Sequence, residues 1–442
     1  MYQKLIYFLR KQKSYEIGYI SFLLGILFLP SALPIAGIFL LLSLLISYSN
    51  QEAIFFKENL DFPFLISIFL ILFSTFKVTI FNIPEELVDF NKSTIWFSLF
   101  NWIPILFFYF GFKFYLKKAN QINLFKNFLI AGSLPVLISC ILQKFFNLYG
   151  PFQTLFGSIV WFNKSLNIND VDYMGGLTGL FSNPNYLGTW LAMLIPFLIA
   201  SLKEESKSIR TKIFLYFLNF LTIYFVFLTN SRNAVISIII TLFLMFDIKK
   251  NYKTFLILGG LALTAAFIPI FIDISRESFM EVNKYNLIKK FIIEEPFLNS
   301  TRITIWKDTL SLIFERPFWG WGSGTYSHIE YERAPDLFLL QFYKSHHTHN
   351  IILEIAYNFG IPTALIITIT SLKIFLVAFK KIFILNLFSP NNSLNKAWIT
   401  SVVAFLFIHL NDITYYDGKI SILFCMLFAG LNNLSEEEKY DK

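Results

Sequence analysis

Three of the five histidines in this sequence fall within four positions, at His346, His347 and His349. An imidazole changes protonation near neutral pH and can accept a proton from a hydroxyl nucleophile. The run leads through Asn350 into a predicted helix, whose N-terminal end favours the neutral ring that a base needs. A metal site would need further ligands, and no Cys pair or H-E-x-x-H pattern supplies them. A solvent-exposed turn remains the alternative to a catalytic histidine.

Two arginines stand where they could bind an anion. Arg232 follows the short connection Thr229–Ser231 between two apolar runs, and Arg302 begins a stretch of helical periodicity that puts Trp306 on the same face. A guanidinium in the first turn of a helix, near the lipid headgroups, is suited to binding a lipid-linked phosphate. The alternatives are that Arg232 extends to the membrane interface and that Arg302 makes a surface salt bridge.

Acidic and amide side chains form a third group of candidates. Asp412 lies in the connection between the last two apolar runs, and it could orient a base or contact sugar hydroxyls. Asp170 and Asp172 resemble a D-x-D metal pair, although such pairs are common in loops. Asn183 is a natural N-cap for a helix that begins at Pro184. Helix capping by itself would explain why Asn183 and Pro184 occur there.

The elements that must position these residues are apolar. The chain has 442 residues, of which 55% are hydrophobic and 15% charged, and its mean hydropathy is +0.58. Most charged residues fall between apolar runs of about 20 residues, the length that crosses the hydrocarbon core of a bilayer. The composition therefore predicts an integral membrane protein rather than a set of soluble domains.

Charge and cysteine usage argue against other classes. The formal net charge is +8, but the basic residues are scattered through short loops, so nucleic-acid binding is not predicted. Cys140 and Cys425 both lie inside apolar runs, which argues against a disulfide framework, and no metal-ligand spacing is found. We expect neither a metal ion nor a cofactor.

Apolar runs and the residues that interrupt them predict an all-α, polytopic membrane protein with about twelve transmembrane helices. The predicted spans are near 17–30, 33–48, 62–81, 96–116, 124–142, 184–201, 211–229, 232–247, 253–272, 361–380, 396–411 and 418–433. We divide the chain into nine spans over 1–272, one long periplasmic loop over 273–360, and three spans with a cytoplasmic tail over 361–442. The loop contains short helices and most candidate catalytic residues.

The placement of Lys and Arg among the short loops predicts the orientation, because such loops are enriched in basic residues on the cytoplasmic side. Basic clusters recur on one side of the membrane, at 4–13, 113–126, 203–212, 249–253 and 380–396. Both termini are therefore predicted to be cytoplasmic and the long loop periplasmic. Arg232, Arg302 and the histidines then lie on the same side, which favours a shared site.

Two helices are predicted inside the long loop. Asn299–Arg302 predicts a helix start, and apolar and aromatic residues continue until Pro317 ends the helix. A second helix is predicted to begin at Asn350 and to end at Gly360. The loop is therefore not expected to be a disordered linker.

Several pieces of the sequence together carry a resemblance to a known family. They are 179–185 (Gly-Leu-Phe-Ser-Asn-Pro-Asn), Ser231–Arg232, 302–306 with 317–322, and 347–354 followed by Gly360–Ile361. In order, spacing and topology they resemble the O-antigen ligase and polymerase superfamily of polytopic membrane proteins. The resemblance covers about residues 175–380, and the first five spans match only in being hydrophobic.

The resemblance implies a metal-independent GT-C-type glycosyltransferase in the inner membrane of a bacterium. Such an enzyme takes a glycan from an undecaprenyl diphosphate carrier on the periplasmic face. By resemblance, Arg232 and Arg302 bind the diphosphate, and His349 activates or positions the acceptor hydroxyl for an in-line, inverting attack. The residues predicted to contact substrate are His347, Asn185, Trp306 and Asp412.

The acceptor differs within this family. It is the lipid A core in ligases, another carrier-linked repeat unit in polymerases, and a protein Ser or Thr in related enzymes. Membrane lipids are the only other partners predicted. The sequence does not distinguish these acceptors, and it identifies neither the sugar nor the oligomeric state.

A membrane transporter, for inorganic carbon or a polysaccharide-related solute, is the main alternative function. A transporter should carry charged residues at mid-membrane or broken helices in matching halves. Few such residues fall inside the predicted spans, and Lys77 and Lys373 come nearest to buried charges. A flippase or non-catalytic scaffold is a third alternative, but it would not need Arg232, Arg302 and His349 together.

Overall fold

A computed structural model gives the architecture of the chain. The structure describes residues 2–50, 61–81, 83–148, 152–155, 159–162, 176–204, 207–246, 301–333, 347–385 and 392–436. The predicted span at 253–272, the Asp170 and Asp172 pair and His346 lie outside these residues.

The first part of the described chain is helical apart from one short antiparallel hairpin. Its helices are α1 (Tyr2–Phe28), α2 (Leu33–Asn50), α3 (Phe62–Phe76), α4 (Lys92–Ser98), α5 (Ile103–Phe112) and α6 (Ala119–Phe146). A π-helical turn, Lys77–Phe81, extends α3, and 3₁₀ turns flank α4 and α5. The hairpin consists of β1 (Phe152–Thr154) and β2 (Ile159–Phe162).

In the second part of the described chain, helices are the only regular secondary structure. Its helices are α7 (Pro184–Leu202), α8 (Ile209–Leu228), α9 (Arg232–Met245), α10 (Thr301–Glu315), α11 (Tyr326–Arg333), α12 (Ile351–Phe359), α13 (Ile361–Phe379), α14 (Asn392–His409) and α15 (Gly418–Glu436). A π-helical turn, Lys380–Ile384, extends α13.

The predicted spans that fall on described residues lie on helical segments. However, α1 begins at Tyr2, well before the predicted start at residue 17, and the predicted span 96–116 is divided among α4, α5 and 3₁₀ turns. By length and composition, seven helices in the described ranges can cross a membrane: Phe62–Phe81, Lys92–Tyr115, Ala119–Phe146, Pro184–Leu202, Ile209–Leu228, Ile361–Ile384 and Gly418–Glu436. Three shorter apolar helices are Leu33–Ser49, Arg232–Met245 and Ser393–His409. The count of about twelve spans stays a prediction.

Helix α7 lies at the centre of the part of the bundle that carries the candidate residues. It packs against α8, α9 and α14, and all of its residues except Asn185 and Tyr186 are buried. Asn183 caps the helix by accepting a hydrogen bond from the Asn185 N–H at 2.8 Å, and Pro184 occupies its first turn, as the sequence predicted. The two partly exposed residues thus lie in the first turn of an otherwise buried helix.

The bundle has two chemically different ends. At one end, which we call the basic end, buried or partly buried lysines are held by carboxylates or by helix-terminal carbonyls. The pairs are Lys113 with Asp61, Lys126 with Glu204, Lys203 with the Met245 carbonyl and Lys381 with the Ser435 carbonyl. At the other end, which we call the histidine end, α7, α9 and α15 begin and α14 ends. His349 also lies at this end.

The segment between α10 and α11 is docked on the rest of the bundle by backbone hydrogen bonds. Trp321 N–H donates to the Tyr357 carbonyl at 2.8 Å, and Ile361 N–H donates to the Pro317 carbonyl at 2.7 Å. Ser74 Oγ of α3 donates to the Trp319 carbonyl at 2.5 Å. These bonds fix the segment against α3 and the C-terminal end of α12 and so orient α10, which carries Arg302.

Two glycines allow this close approach. Gly320 (φ +63°) and Gly360 (φ +87°) are both in the left-handed region, which glycine adopts without steric cost. A Cβ on Gly320 would overlap the Tyr357 carbonyl, and one on Gly360 would overlap the Phe318 carbonyl. The Gly320–Gly324 cluster is therefore a docking turn.

Candidate functional site

Asp412 is the residue that joins the candidate side chains. It lies between α14 and α15, and it is buried. Asp412 Oδ1 is 2.9 Å from His349 Nδ1, and Asp412 Oδ2 accepts a hydrogen bond from Asn185 Nδ2 at 2.9 Å. A terminal guanidinium nitrogen of Arg302 is 3.7 Å from Oδ2. One carboxylate thus brings together three predicted site residues from α7, α10 and the loop before α12.

The surroundings of Asp412 favour its charged form. Burial by itself raises the pKa of this carboxyl, but the His349 ring, the Arg302 charge and a hydrogen bond from Ile413 N–H together hold the pKa below its ordinary value. An ionised carboxylate can only accept hydrogen bonds, so the proton between the two side chains is assigned to His349 Nδ1. In the neutral ring, Nε2 is then left as a hydrogen-bond acceptor.

The backbone of His349 is held in an unusual conformation. Its φ of +53° lies in the left-handed region, which costs a residue with a side chain about 1 to 3 kcal/mol. On its C-terminal side, Asn350 accepts hydrogen bonds from the N–H groups of Ile352 and Leu353 and donates to the Leu410 carbonyl at 3.0 Å. Asn350 thereby caps α12 and fixes the loop of His349 to the end of α14.

His347 occupies a neighbouring environment with its own carboxylate. Its ring stacks on Tyr416 with the centroids 4.2 Å apart, and its Nδ1 is 3.7 Å from Glu354 Oε1. Burial alone raises the pKa of Glu354, but its contacts with His347, Tyr416 and the Thr348 N–H together hold the pKa below its ordinary value. His347 is therefore paired with Glu354, whereas His349 is paired with Asp412.

The site is open to a ligand on the side of His349 and Arg302. Their side chains are 33% and 35% exposed, although Asp412 between them is 8% exposed. Trp306 follows Arg302 by one helical turn and is half-buried. Its indole N–H is buried and has no acceptor in the described part of the chain. Trp306 is thus adjacent to Arg302 along α10, but no direct contact joins it to Asp412.

Arg232 lies at the histidine end but outside the Asp412 cluster. In the described ranges, the exposed Arg232 side chain makes no hydrogen bond or ion pair. Helix α9, which begins with Arg232, approaches α7 closely at Gly188. A Cβ added to Gly188 would be 3.2 Å from the Ser231 Cβ and 3.0 Å from the Ala234 Cβ. The first turn of α9 therefore packs against the first turns of α7, which carry Asn185.

Helix N-termini add to the positive charge of this region. Helices α7, α9, α10 and α12 all begin at the histidine end, where the helix dipole favours an anion. Two of these first turns carry the exposed guanidinium groups of Arg232 and Arg302. The arrangement is suited to a diphosphate, whose oxygens accept several charge-assisted hydrogen bonds.

Residues 217–368 match a family model described as O-antigen ligase. This segment is therefore similar to the O-antigen ligase family. A comparison with curated protein sequences found no match. The matched segment contains Arg232, Arg302 and His349, whereas Asn185 and Asp412 lie outside it on either side.

The match of this segment to the O-antigen ligase family supports a glycan-transfer role and an integral membrane location in bacteria. It implies a lipid-linked glycan donor and a glycan or lipid A acceptor, and it does not favour a transporter. The resemblance predicted from the sequence is thus confirmed at the level of the family. The roles of individual site residues stay predictions.

Glu354 and Tyr416 were not among the predicted site residues, although both contact the histidine loop. Glu354 is the one charged residue in the otherwise apolar or uncharged α12, Ile-Ile-Leu-Glu-Ile-Ala-Tyr-Asn-Phe. A carboxylate in such a helix is costly to bury unless it is paired, and this was the available signal. Tyr416 gave no comparable signal, because tyrosine is common at membrane interfaces.

Proposed function

We propose that the chain transfers a glycan from an undecaprenyl diphosphate carrier to an acceptor hydroxyl at the periplasmic face of the inner membrane. The observation that carries the proposal is the contact of Asp412 with His349, Arg302 and Asn185 in a chain with an O-antigen ligase segment. The acceptor is a lipid A core, a growing glycan or a protein.

His349 is the proposed base or positioning group for the acceptor. Asp412 binds Nδ1, so Nε2 is available to accept the proton of the acceptor hydroxyl. The oxygen attacks the anomeric carbon in line as the bond from that carbon to the diphosphate oxygen breaks. The configuration at this carbon is inverted, and the released undecaprenyl diphosphate keeps the bonding electrons.

Arg232 and Arg302 are proposed to stabilise the leaving group. Negative charge develops on the diphosphate as the bond breaks, and guanidinium groups held in first helical turns can bind it without reorganising. In this proposal the two arginines supply the positive charge and no metal is required. Asn185, His347 and Trp306 are proposed to contact the glycan or the acceptor.

A transfer assay tests this function. The purified full-length chain is incubated with an undecaprenyl diphosphate-linked glycan and separate samples of lipid A core, carrier-linked glycan and an acceptor peptide. We expect free undecaprenyl diphosphate and a new glycosidic bond with one acceptor, detected by mass spectrometry, because the site activates a hydroxyl. The same mixtures without the chain are the control. Passage of the glycan across proteoliposomes without a new bond would support the transporter instead.

The proposed orientation makes a separate prediction. Lys307 is exposed on α10 near Arg302, and Arg210 is exposed in the first turn of α8 at the basic end. In intact spheroplasts, Lys307→Cys should react with a membrane-impermeant maleimide, and Arg210→Cys should react only after permeabilisation. The buried native Cys140 and Cys425 should give little background. If only Arg210→Cys reacted in intact spheroplasts, the orientation would be the opposite of the one proposed.

A further inference from the structure

We infer that Glu354 is a positioning residue that holds the loops of His349 and Asp412 together. The inference concerns the geometry of the site, and its kinetic part rests on the proposed glycan transfer. Glu354 lies in the first turn of α12, and it is 2% exposed. It does not contact His349 or Asp412 directly, so its effect passes through their chain neighbours.

The two oxygens of Glu354 bind two different segments. Glu354 Oε2 accepts a hydrogen bond from the Thr348 N–H at 3.0 Å, directly before His349 in the chain. Glu354 Oε1 accepts one from the Tyr416 hydroxyl at 2.5 Å, in the connection that begins with Asp412. The carboxylate therefore crosslinks the segments that carry the two members of the His349–Asp412 pair.

The conformation of His349 explains why such a crosslink is needed. A left-handed backbone at a residue with a side chain is retained only when its surroundings hold it. Glu354 holds the peptide on the N-terminal side through Thr348, and Asn350 holds the C-terminal side through the Leu410 carbonyl. Without the first of these bonds, the His349 backbone can relax and the ring can move away from Asp412.

A purely structural role for Glu354 would have different consequences. A buried ionised group that only stabilises α12 would affect folding, but it would leave the His349 ring unchanged in the folded fraction. A positioning role requires the ring itself to respond. The Nδ1 proton of His349 reports this directly, because its chemical shift depends on the hydrogen bond to Asp412.

The test compares Glu354→Gln with Glu332→Gln, a matched control at an exposed glutamate on α11. Glutamine keeps the size of the side chain, but its single oxygen cannot accept both hydrogen bonds strongly and its amide nitrogen cannot accept either. NMR spectra of the ¹⁵N-histidine-labelled full chain in detergent give the His349 Nδ1–H signal, which is assigned by its loss in His349→Gln.

We expect Glu354→Gln to shift or broaden the His349 signal and to lower kcat about 10-fold with little change in KM, since displacing a catalytic group by about 1 Å can cost up to ~100-fold. Glu332→Gln should change neither. An unchanged signal would overturn the inference, whatever happens to kcat. If Glu354→Gln shifts the His349 signal but the unmodified chain shows no transfer activity, the positioning role is supported and the proposed function is overturned instead.

Tyr416→Phe provides a second variant if Glu354→Gln does not fold. It removes the hydroxyl that binds Glu354 and keeps the ring that stacks on His347. The inference predicts the same kind of shift in the His349 signal, because Asp412 is on the segment that is released. An unchanged His349 signal in a folded Tyr416→Phe protein would overturn the crosslink.

Discussion

Replacing Asp412 with Asn is expected to lower glycan transfer by about 10³-fold to 10⁴-fold with little loss of folded protein. An orienting carboxylate in an Asp–His pair has an effect of this size when it is changed to the amide. In this chain the amide can donate to His349 Nδ1, which would put the ring proton on Nε2 and block its use as a base. The measurement is kcat for transfer by the purified variant.

A matched aspartate and a double variant make this result specific. Asp308 is exposed on α10, so Asp308→Asn should retain activity within about 2-fold because exposed sites tolerate such changes. His349→Gln should be as inactive as Asp412→Asn, and the double variant should be little worse, because residues that act as a unit are not additive. Additive losses, or activity in Asp412→Asn near that of the wild type, would contradict the pairing.

The helices were the part of the fold that sequence could predict. In α7, hydrophobic residues continue from Leu187 to Leu202 between an Asn-Pro start and a Lys-Glu end, so local signals define the element. The break between α1 and α2 follows the same rule, since Pro30 lies in the connection and Pro34 lies in the first turn of α2. Hydropathy contains no information on which helices are neighbours, so the packing of α7 against α9 and α14 had to come from the structure.

The candidate site shows the same limit. Arg302, His349 and Asp412 were predicted individually, from helix starts, histidine clustering and loop position. Their assembly depends on long-range contacts, such as that from Asn185 in α7 to Asp412, which no periodicity reports. Glu354 was not predicted as a site residue, because its burial and its two hydrogen bonds follow from a loop conformation that sequence alone does not predict.

The other large expected effect concerns Arg302. Arg302→Ala should lower kcat by about 10²-fold to 10³-fold, the cost of removing one donor that stabilises charge developing in a transition state. Arg302→Lys should recover part of the loss, because it keeps the charge but not the fork of parallel N–H donors. Lys307→Ala, at an exposed cation on the same helix, is the control and should remain active.

The pattern of kinetic constants decides what Arg302 does. An equal fall in kcat and kcat/KM would mean that the guanidinium binds the transition state more tightly than the donor, whereas a rise in KM alone would mean uniform binding. A rise in KM alone would contradict the proposed role.

Arg302 lies 3.7 Å from Asp412, so the bound diphosphate must compete with this carboxylate for the guanidinium. Asp412→Asn should accordingly tighten donor binding to Arg302 while it removes the base, and a lower KM in that variant would link the two residues.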